Sequence, residues 1–292
     1  MNIHLIDGTY ELFRNHFGAP PKKAPDGREV GATLGLLRSL SMLLTSPNVT
    51  HVGVAFDHVI ESFRNDLFAG YKTGEGVDPT LLAQFSLAEE AVLALGVVVW
   101  SMVEFEADDA IASAAKRFKK NKSVEQIIIA SPDKDLAQLV SDNKIVCWDR
   151  RREIIIDEAG VVEKFGVLPQ SIPDWLAVVG DSADGYPGIP GWGAKSASAV
   201  LSYFEHLEKI PDDPGKWKLN TISPGRAASL AQSLATNRID ALLYRKLATL
   251  REDVPIQEKL SDLKWQGALP RLKEICAEMG DEKIAMRITR WR

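Results

Sequence analysis

Short apolar runs alternate with helical patterns over the first half of the chain. The runs lie at residues 3–6, 51–56, 97–100, 126–130 and 144–148, and they have the length of buried strands. Between them, apolar residues recur near a 3.6-residue period, as at Leu36, Leu37, Leu40, Leu43 and Leu44, and again at Ala107, Ala110, Ile111, Ala114, Ala115 and Phe118. Strands that alternate with amphipathic helices predict an α/β domain with a mostly parallel sheet.

The pattern becomes helical after a last short apolar run at 154–156. Residues 185–193 are rich in proline and glycine and predict a turn or hairpin, and residues 210–221 predict a surface loop. We therefore expect a helical module in the carboxyl-terminal half. Its two predicted helices carry the stripes Ala197, Val200, Leu201 and Phe204, and Ile239, Leu242, Leu243, Leu247 and Leu250.

The composition is typical of a soluble globular protein, with 292 residues of which 45% are hydrophobic and 26% charged. The longest apolar run, at 91–100, is much shorter than the ~20 residues of a membrane-spanning helix. The first residues lack the basic and apolar parts of a secretory signal, so we expect a cytoplasmic protein without membrane contact. The two cysteines, Cys147 and Cys276, exclude a disulfide framework and should be reduced and buried.

Nine acidic residues follow the predicted strands or stand on the loop before the proline- and glycine-rich segment. The carboxyl ends of strands in an open parallel sheet form the ligand crevice, so these side chains are expected to converge. Taken singly, each is more often a turn or helix-capping residue than a ligand. Without them the formal net charge changes from −5 to +4, which would leave a surface able to accept phosphate. They are Asp7, Asp57, Glu106, Asp108, Asp109, Asp133, Asp135, Asp181 and Asp184.

Gathered carboxylates indicate a particular kind of cation. Like charges held close together raise one another's pKa unless cations neutralise them. Oxygen ligands without a Cys or His partner favour Mg²⁺ or Mn²⁺ over zinc. Two such ions, ~3.5 to 4 Å apart, are a familiar arrangement for the hydrolysis of a phosphodiester.

Two further segments are candidates for phosphate binding. In residues 188–197, three glycines permit close backbone approach, and a helix start presents N–H groups beside Lys195 and Ser196. An ordinary helix–turn–helix connection would look the same. In residues 62–72, Arg64 and Lys72 are predicted to clamp a phosphate and Tyr71 to stack on a base; the alternative is an amphipathic helix with a solvated basic face. Arg14 is a similar candidate. The three glycines are Gly188, Gly191 and Gly193.

Taken together, these stretches resemble the 5′-nuclease or flap-endonuclease family, which includes the 5′-nuclease domain of bacterial DNA polymerase I and stand-alone 5′–3′ exonucleases. The resemblance covers about residues 3 to 205, and the helical remainder to about 250 fits the same plan. The matching stretches are residues 5–8 with 12–14, 55–57, 63–72, 106–109, 131–139 and 180–195.

The resemblance implies a PIN-like α/β nuclease core at residues 1–170, with an arch region at about 62–85. It further implies a helix-hairpin-helix module that holds duplex DNA at residues 171–260. The remaining tail at 261–292 would either extend the DNA surface or pack as a terminal helix, and we favour packing. By the same resemblance the protein is a stand-alone, Mg²⁺-dependent nuclease of DNA replication and repair, for which Mn²⁺ could substitute. Its substrates would be 5′ ends, flaps and single-strand/duplex junctions, and we expect a monomer.

The resemblance also implies roles for single residues. Asp7, Glu106, Asp108 and Asp133 would bind a first ion, and Asp135, Asp181 and Asp184 a second. Asp57 and Asp109 would lie in or just outside these ligand shells. Lys72, supported by Arg64, would be the electrostatic catalyst at the scissile phosphate. Arg14 and Tyr71, with the glycine hairpin, Lys195, Ser196 and a bound K⁺, would hold the DNA.

One departure from the family pattern supports an alternative. Glu75 stands where the family often carries a cation in the arch, which would weaken phosphate binding there. A DNA junction-binding protein with weak or lost nuclease activity is therefore the second hypothesis. A third, an RNA-cleaving PIN-type nuclease, would share the acidic crevice but would not need the helix-hairpin-helix.

Overall fold

The computed structural model describes all residues from Met1 to Arg292, and they fall into two compact units. The first unit comprises Met1–Ser62, Gly74–Ser131 and Arg251–Arg292, and the second comprises Phe63–Thr73 and Pro132–Leu250. None of the helices combines the length and the apolar character that crossing a membrane requires.

The chain forms six strands and thirteen α-helices. The strands are β1 (Asn2–Asp7), β2 (His51–Asp57), β3 (Val98–Met102), β4 (Gln126–Ala130), β5 (Ile145–Asp149) and β6 (Ile154–Ile156). The helices are α1 (Gly8–Gly18), α2 (Gly31–Leu44), α3 (Phe63–Leu67), α4 (Pro79–Leu82), α5 (Phe85–Ala94), α6 (Ala107–Lys119), α7 (Glu158–Phe165), α8 (Ile172–Val179), α9 (Ala194–Phe204), α10 (Pro224–Thr236), α11 (Arg238–Ala248), α12 (Arg271–Glu278) and α13 (Lys283–Met286).

The first unit is built on four parallel strands in the order β3-β2-β1-β4. Their register pairs Leu5 with Gly53 on one side and with Ile129 on the other. Parallel pairing brings the carboxyl ends of these strands to one edge, where Asp7 and Asp57 are the last residues of β1 and β2. The predicted α/β architecture with a mostly parallel sheet is confirmed.

Helix α6 shows why the sequence pattern predicted this architecture well. Its apolar stripe, from Ala107 to Phe118, is buried throughout and packs against all four parallel strands. The helix begins with a reciprocal capping box between Glu106 and Asp109, and it ends among lysines and arginines that complement its dipole. The sheet and the first turn of α6 therefore fix the positions of the acids at that end of the unit.

The second unit contains the antiparallel pair β5 and β6 and the helices α7 to α11, in which α8 packs against α9 and α11. The stripe predicted for α9 is buried as expected. The stripe predicted for α11 is only partly right. Leu247 and Leu250 are buried as expected, but Ile239 is 84% exposed, and the buried face also carries Ala241 and Tyr244. Tyr244, which the predicted stripe does not include, turns inward to pack on Phe68 and Tyr186.

The segment at 210–221 is not a simple surface loop. It forms a short 3₁₀ turn, Pro214–Lys216, followed by Trp217, one of the largest fully buried side chains. The indole N–H of Trp217 donates to the carbonyl of Pro211 at 2.7 Å, and the ring contacts Trp192 and Phe204. Burial of this one aromatic side chain holds the segment against the helical unit.

The carboxyl-terminal residues complete the first unit. The N–H of Val52 in β2 donates to the carbonyl of Leu263 at 2.8 Å, and Trp265 donates to Thr50 at 2.9 Å. Helix α12 packs on α5, and α13 packs on α2. Cys147 and Cys276 are both buried free thiols, as predicted, and burial raises the pKa of the Cys276 thiol to about 11.

Candidate functional site

Three carboxylates of the second unit form the most compact acidic group of the chain. One oxygen each from Asp135, Asp181 and Asp184 lies within 4.8 Å of the others, with the first two side chains buried and the third half-buried. We call this group the acid triad. Asp135 begins a 3₁₀ turn, Asp135–Leu139, and the other two residues follow α8.

The loop after α8 is shaped by glycines at its two ends. Gly180 and Gly188 have φ of +88° and +71°, and a Cβ on Gly188 would lie 2.5 Å from the Gly180 nitrogen, so only glycine fits there. Between them, Asp181 and Tyr186 exchange two backbone hydrogen bonds at 2.8 and 3.1 Å. This closed loop holds Asp181 and Asp184 in fixed positions.

The acid triad concentrates negative charge in a small, largely buried space. Burial, followed by repulsion from Asp133, Asp184 and Asp181, raises the pKa of Asp135 well above 3.8, while Lys134 opposes the shift. Lys134 contacts Asp181 at 2.7 Å and Lys72 contacts Asp184 at 3.3 Å. The Oδ1 atom of Asp135 is buried without a hydrogen-bond partner.

The donor set of the acid triad fits a hard divalent cation. A buried carboxylate oxygen without a partner is unfavourable unless a charge or hydrogen bond compensates it. Three carboxylates, with no sulfur or imidazole among them, match the oxygen coordination that Mg²⁺ and Mn²⁺ prefer. The acid triad therefore has the ligand atoms that a hard cation prefers, and it has a buried carboxylate oxygen that a bound cation would compensate.

In the first unit, Asp7 and Asp57 lie at adjacent strand ends; Asp7 bonds to the helix that follows it, and Asp57 bonds to the start of α6. One oxygen of Asp7 accepts from the backbone of Tyr10 at 2.8 Å and caps α1, and the other accepts from the Ser131 hydroxyl at 2.9 Å. Asp57 accepts from the N–H of Ala107 at 2.8 Å. Asp57 thus ties β2 to the start of α6.

The acids at the start of α6 differ in their surroundings. Glu106 is buried and accepts from the Ser62 hydroxyl at 2.7 Å, and Asp108 is half-buried. Asp109 is completely buried, and its two oxygens accept from the backbone of Glu106 at 3.0 Å and of Arg251 at 2.8 Å. Of the two positions expected for Asp109, in the ligand shell or just outside it, its complete burial and its two backbone bonds favour the second.

The expected phosphate clamp at Arg64 and the stacking platform at Tyr71 require correction. Arg64 is 1% exposed, and its guanidinium donates to the carbonyls of Leu247 at 2.8 Å and Thr249 at 3.3 Å. It therefore secures the end of α11 rather than presenting its charge to solvent. Tyr71 is 3% exposed, so the structure gives it no open ring face on which a base could stack.

Lys72 and Arg14 remain accessible. The Lys72 side chain is 28% exposed beside Asp184, and its backbone N–H donates to the Asp184 carbonyl at 2.9 Å. The Arg14 side chain is 30% exposed and pairs with buried Glu11. Asp133 accepts from the backbone of Asp135 at 3.0 Å, which links it to the acid triad.

The glycine hairpin forms as predicted before α9. Gly188 and Gly191 adopt φ of +71° and +79°, and Gly193 is the N-cap residue of α9. Lys195 is exposed on the first turn, and half-buried Ser196 accepts from Arg226 at 3.0 Å. Arg226 also donates to the carbonyl of Gly191; sequence reasoning missed it, although it follows a proline at a helix start.

The fold and these residues first define the class of protein: an α/β chain with a cluster of three carboxylates and a glycine hairpin at a helix start. Residues 2–166 match the family "5′-3′ exonuclease, N-terminal resolvase-like domain", and residues 167–270 match "5′-3′ exonuclease, C-terminal SAM fold". The chain belongs to the 5′-3′ exonuclease family.

Individual relatives agree with this membership. A 5′-3′ exonuclease of Buchnera aphidicola is 31% identical over 263 residues, which cover 89% of this chain and 90% of the relative. A 5′-3′ exonuclease of Aquifex aeolicus is 32% identical over 279 residues, 95% of this chain and 91% of the relative. DNA polymerase I of Bacillus caldotenax is 33% identical over 267 residues; they cover 90% of this chain but 29% of that polymerase.

Solved structures share the fold at lower identity. A flap endonuclease of bacteriophage T5, in a complex with DNA and metal ions, has a TM-score of 0.66 and 18% identity, with 98% of this chain and 96% of that one covered. The catalytic core of Rad2 in complex with DNA has a TM-score of 0.60 and 13% identity, with 97% and 90% covered. The predicted fold class is confirmed by this likeness.

Proposed function

We propose that this chain is a metal-dependent 5′–3′ deoxyribonuclease that hydrolyses phosphodiesters near 5′ ends and at single-strand/duplex junctions. The proposal is supported by membership of the 5′-3′ exonuclease family and, within the molecule, by one observation above the others. The acid triad brings three carboxylates within 4.8 Å and leaves an oxygen of Asp135 buried without a partner. We also propose that it acts in the cytoplasm and as a monomer.

Two sets of carboxylates are proposed as ligands. Asp135, Asp181 and Asp184 would hold one cation. Asp7, Glu106 and Asp108 would hold the other, and the family resemblance assigns Asp133 to this second set. Bound Mg²⁺ ions would supply a nucleophile at neutral pH and stabilise charge on the displaced oxygen. Asp57 and Asp109 would position backbone rather than bind metal.

Basic groups of the second unit are proposed to handle the phosphate. Lys72 already lies beside Asp184 at 3.3 Å, so its ammonium would stabilise negative charge that develops on a phosphate brought to the acid triad. Gly188, Gly191 and Gly193 would let the DNA backbone approach the start of α9, where Lys195 and Ser196 add polar contacts. A K⁺ ion at this hairpin remains part of the proposal.

One observation favours a second candidate function. Glu75 is exposed in the segment proposed as the arch, where an acid repels phosphate. A junction-binding protein with weak cleavage would follow if that repulsion keeps the 5′ end away from the acid triad.

Cleavage of an end-labelled 5′-flap duplex separates these functions. We expect product in Mg²⁺, none with a chelator, and background cleavage by Asp133→Asn, while Asp142→Asn, the same change at an exposed acid, cuts like the wild type. Tight binding without cutting in Mg²⁺ or Mn²⁺ would favour the junction-binding protein. Equal cutting of a matched RNA flap would favour an RNA nuclease.

A further inference from the structure

Tyr186 is a buried aromatic residue that no step of the proposed function uses. Its side chain is 1% exposed, and its backbone exchanges the two hydrogen bonds with Asp181 described above. Its ring stacks on Tyr244, with centroids 5.6 Å apart and an interplanar angle of 21°. Ring and backbone are thus both fixed, so the hydroxyl has a defined position.

The hydroxyl of Tyr186 is buried without a hydrogen-bond partner. A buried polar group in that state costs about 1–3 kcal/mol, and native proteins rarely leave one unexplained. A phenylalanine would pack in the same place without this cost. The unused donor therefore points to an acceptor that the protein presents only in another state.

The acid triad supplies acceptors next to this loop. Tyr186 lies two residues after Asp184, and its backbone bonds to that of Asp181. A tyrosine hydroxyl is neutral at neutral pH and can donate to a carboxylate oxygen. The acid triad contains such an oxygen, because Oδ1 of Asp135 is also buried without a partner.

We propose that Tyr186 is a positioning residue of the acid-triad cation site, whose hydroxyl donates a hydrogen bond to a ligand carboxylate once a divalent cation is bound. This inference rests on the proposed function of the acid triad. A ligand carboxylate that turns its oxygens toward a cation must be held in that orientation, and a neighbouring donor does so. Tyr244 supplies the ring stack but not this hydrogen bond.

The proposal predicts effects of opposite sign on stability and on cation binding. Tyr186→Phe removes an unsatisfied hydroxyl, so the cation-free protein should be as stable as the wild type or more so. The same substitution removes the bond that orients the ligand, so cation affinity should fall by about 10-fold. If the hydroxyl had a merely structural role, its removal would lower stability and leave the cation affinity unchanged.

The test uses the full chain and Mn²⁺ as the probe. Isothermal titration calorimetry gives the Mn²⁺ Kd of the wild type, Tyr186→Phe, the matched ring-stack control Tyr244→Phe, and Asp184→Asn, which identifies the heat that belongs to the acid triad. Thermal unfolding in a chelator gives the stability of each cation-free protein. We expect a raised Kd with undiminished Tm for Tyr186→Phe, and a wild-type Kd for Tyr244→Phe.

Each other outcome has a defined meaning. An unchanged Kd in Tyr186→Phe, with binding lost in Asp184→Asn, would overturn the role of Tyr186 and leave the proposed function standing. A Tyr186→Phe protein that melts well below the wild type in a chelator, or fails to fold, would make the hydroxyl structural and also overturn it. If the wild type shows no Mn²⁺ binding heat that is lost in Asp184→Asn, the result would instead contradict the acid triad as a cation site.

Discussion

Asp135 carries a charge that the cation-free protein neutralises poorly. Its pKa is raised by burial and by Asp133, Asp184 and Asp181, so its protonated form favours folding. That contribution is present below about pH 3.9 and is lost as the pH rises through the folded-state pKa. At neutral pH without a cation, Asp135 therefore destabilises the fold, because folding must either bury its charge or add a proton.

Asp135→Asn should remove this penalty. In a chelator at about pH 7 we expect a Tm increase of about 3 °C, the shift that ~1 kcal/mol produces in a chain of this size, and a smaller gain at about pH 4.5. Thermal unfolding of the variant and of Asp142→Asn at both pH values measures it. A loss of stability at neutral pH would mean that Asp135 is already neutralised within the protein.

Substitution of Arg64 should mainly lower the stability of the protein. Arg64→Met leaves the carbonyls of Leu247 and Thr249 without this buried donor, and we expect a loss of about 3 kcal/mol in the free energy of unfolding. Urea unfolding provides the measurement, with Arg152→Met as the matched control at an exposed arginine. An Arg64→Met protein with wild-type stability and defective DNA binding would restore the phosphate clamp predicted from the sequence.

From the sequence, it is easier to predict that acids cluster than to predict the role of each acid. The sequence pattern predicts that nine acids converge, and the family resemblance assigns Asp135, Asp181 and Asp184 to one ion. The structure brings one oxygen of each of these three together. Asp109 fits the same sequence pattern, yet its oxygens bond to backbone N–H groups. A carboxylate at a helix start can satisfy backbone donors or a cation, and only the three-dimensional partners distinguish them.

At the scale of single elements, the start of α9 is the most exposed candidate for DNA contact. Lys195 lies on its first turn beside the glycine hairpin. Lys195→Ala should weaken duplex binding uniformly across sequences and reduce the slope of log K against log salt by about 1. Fluorescence anisotropy over a salt series measures the slope. Lys283→Ala, at an exposed lysine of α13, is the control, and equal slopes for all three proteins would exclude α9 from the interface.

Periodicity predicted strands and helices well and individual faces less well. The run at 126–130 coincides with β4, because a buried strand in a parallel sheet is apolar on both faces. On α11 the pattern failed in part, because Tyr244 packs its ring inward while Ile239 faces solvent. Aromatic residues with a polar atom, such as Tyr244 and Trp217, can be buried when ring packing outweighs the polar group, and a hydrophobic-polar pattern does not record that.

At the scale of the whole molecule, the carboxyl-terminal residues belong to the amino-terminal unit. Residues Arg251–Arg292 lie in the first unit, where Leu263, Ile275 and Cys276 are buried. The domain boundaries predicted at 170 and 260 stay a prediction. Contacts between segments so distant in sequence leave no local pattern, which is why the sequence indicated packing of the tail but not its location.

Removal of residues 261–292 should therefore disrupt the first unit. The truncation uncovers apolar surface on α2 and α5 and removes the backbone bonds to Thr50 and Val52, so we expect an aggregated or unfolded product by circular dichroism and size-exclusion chromatography. Trp291→Ala, which changes only a half-buried residue near the end, should fold. A folded, active truncated protein would show that the tail is dispensable.

The central claim is that cations held by the acid triad are required to cut DNA. It is tested most directly by the single-turnover rate of 5′-flap cleavage as a function of Mg²⁺ concentration, for the wild type and for Asp184→Asn. We predict that the wild type is inactive in a chelator and that Asp184→Asn needs more Mg²⁺ or never reaches the wild-type rate, because one ligand is lost. Wild-type cutting in a chelator, or identical Mg²⁺ curves for the two proteins, would contradict the claim.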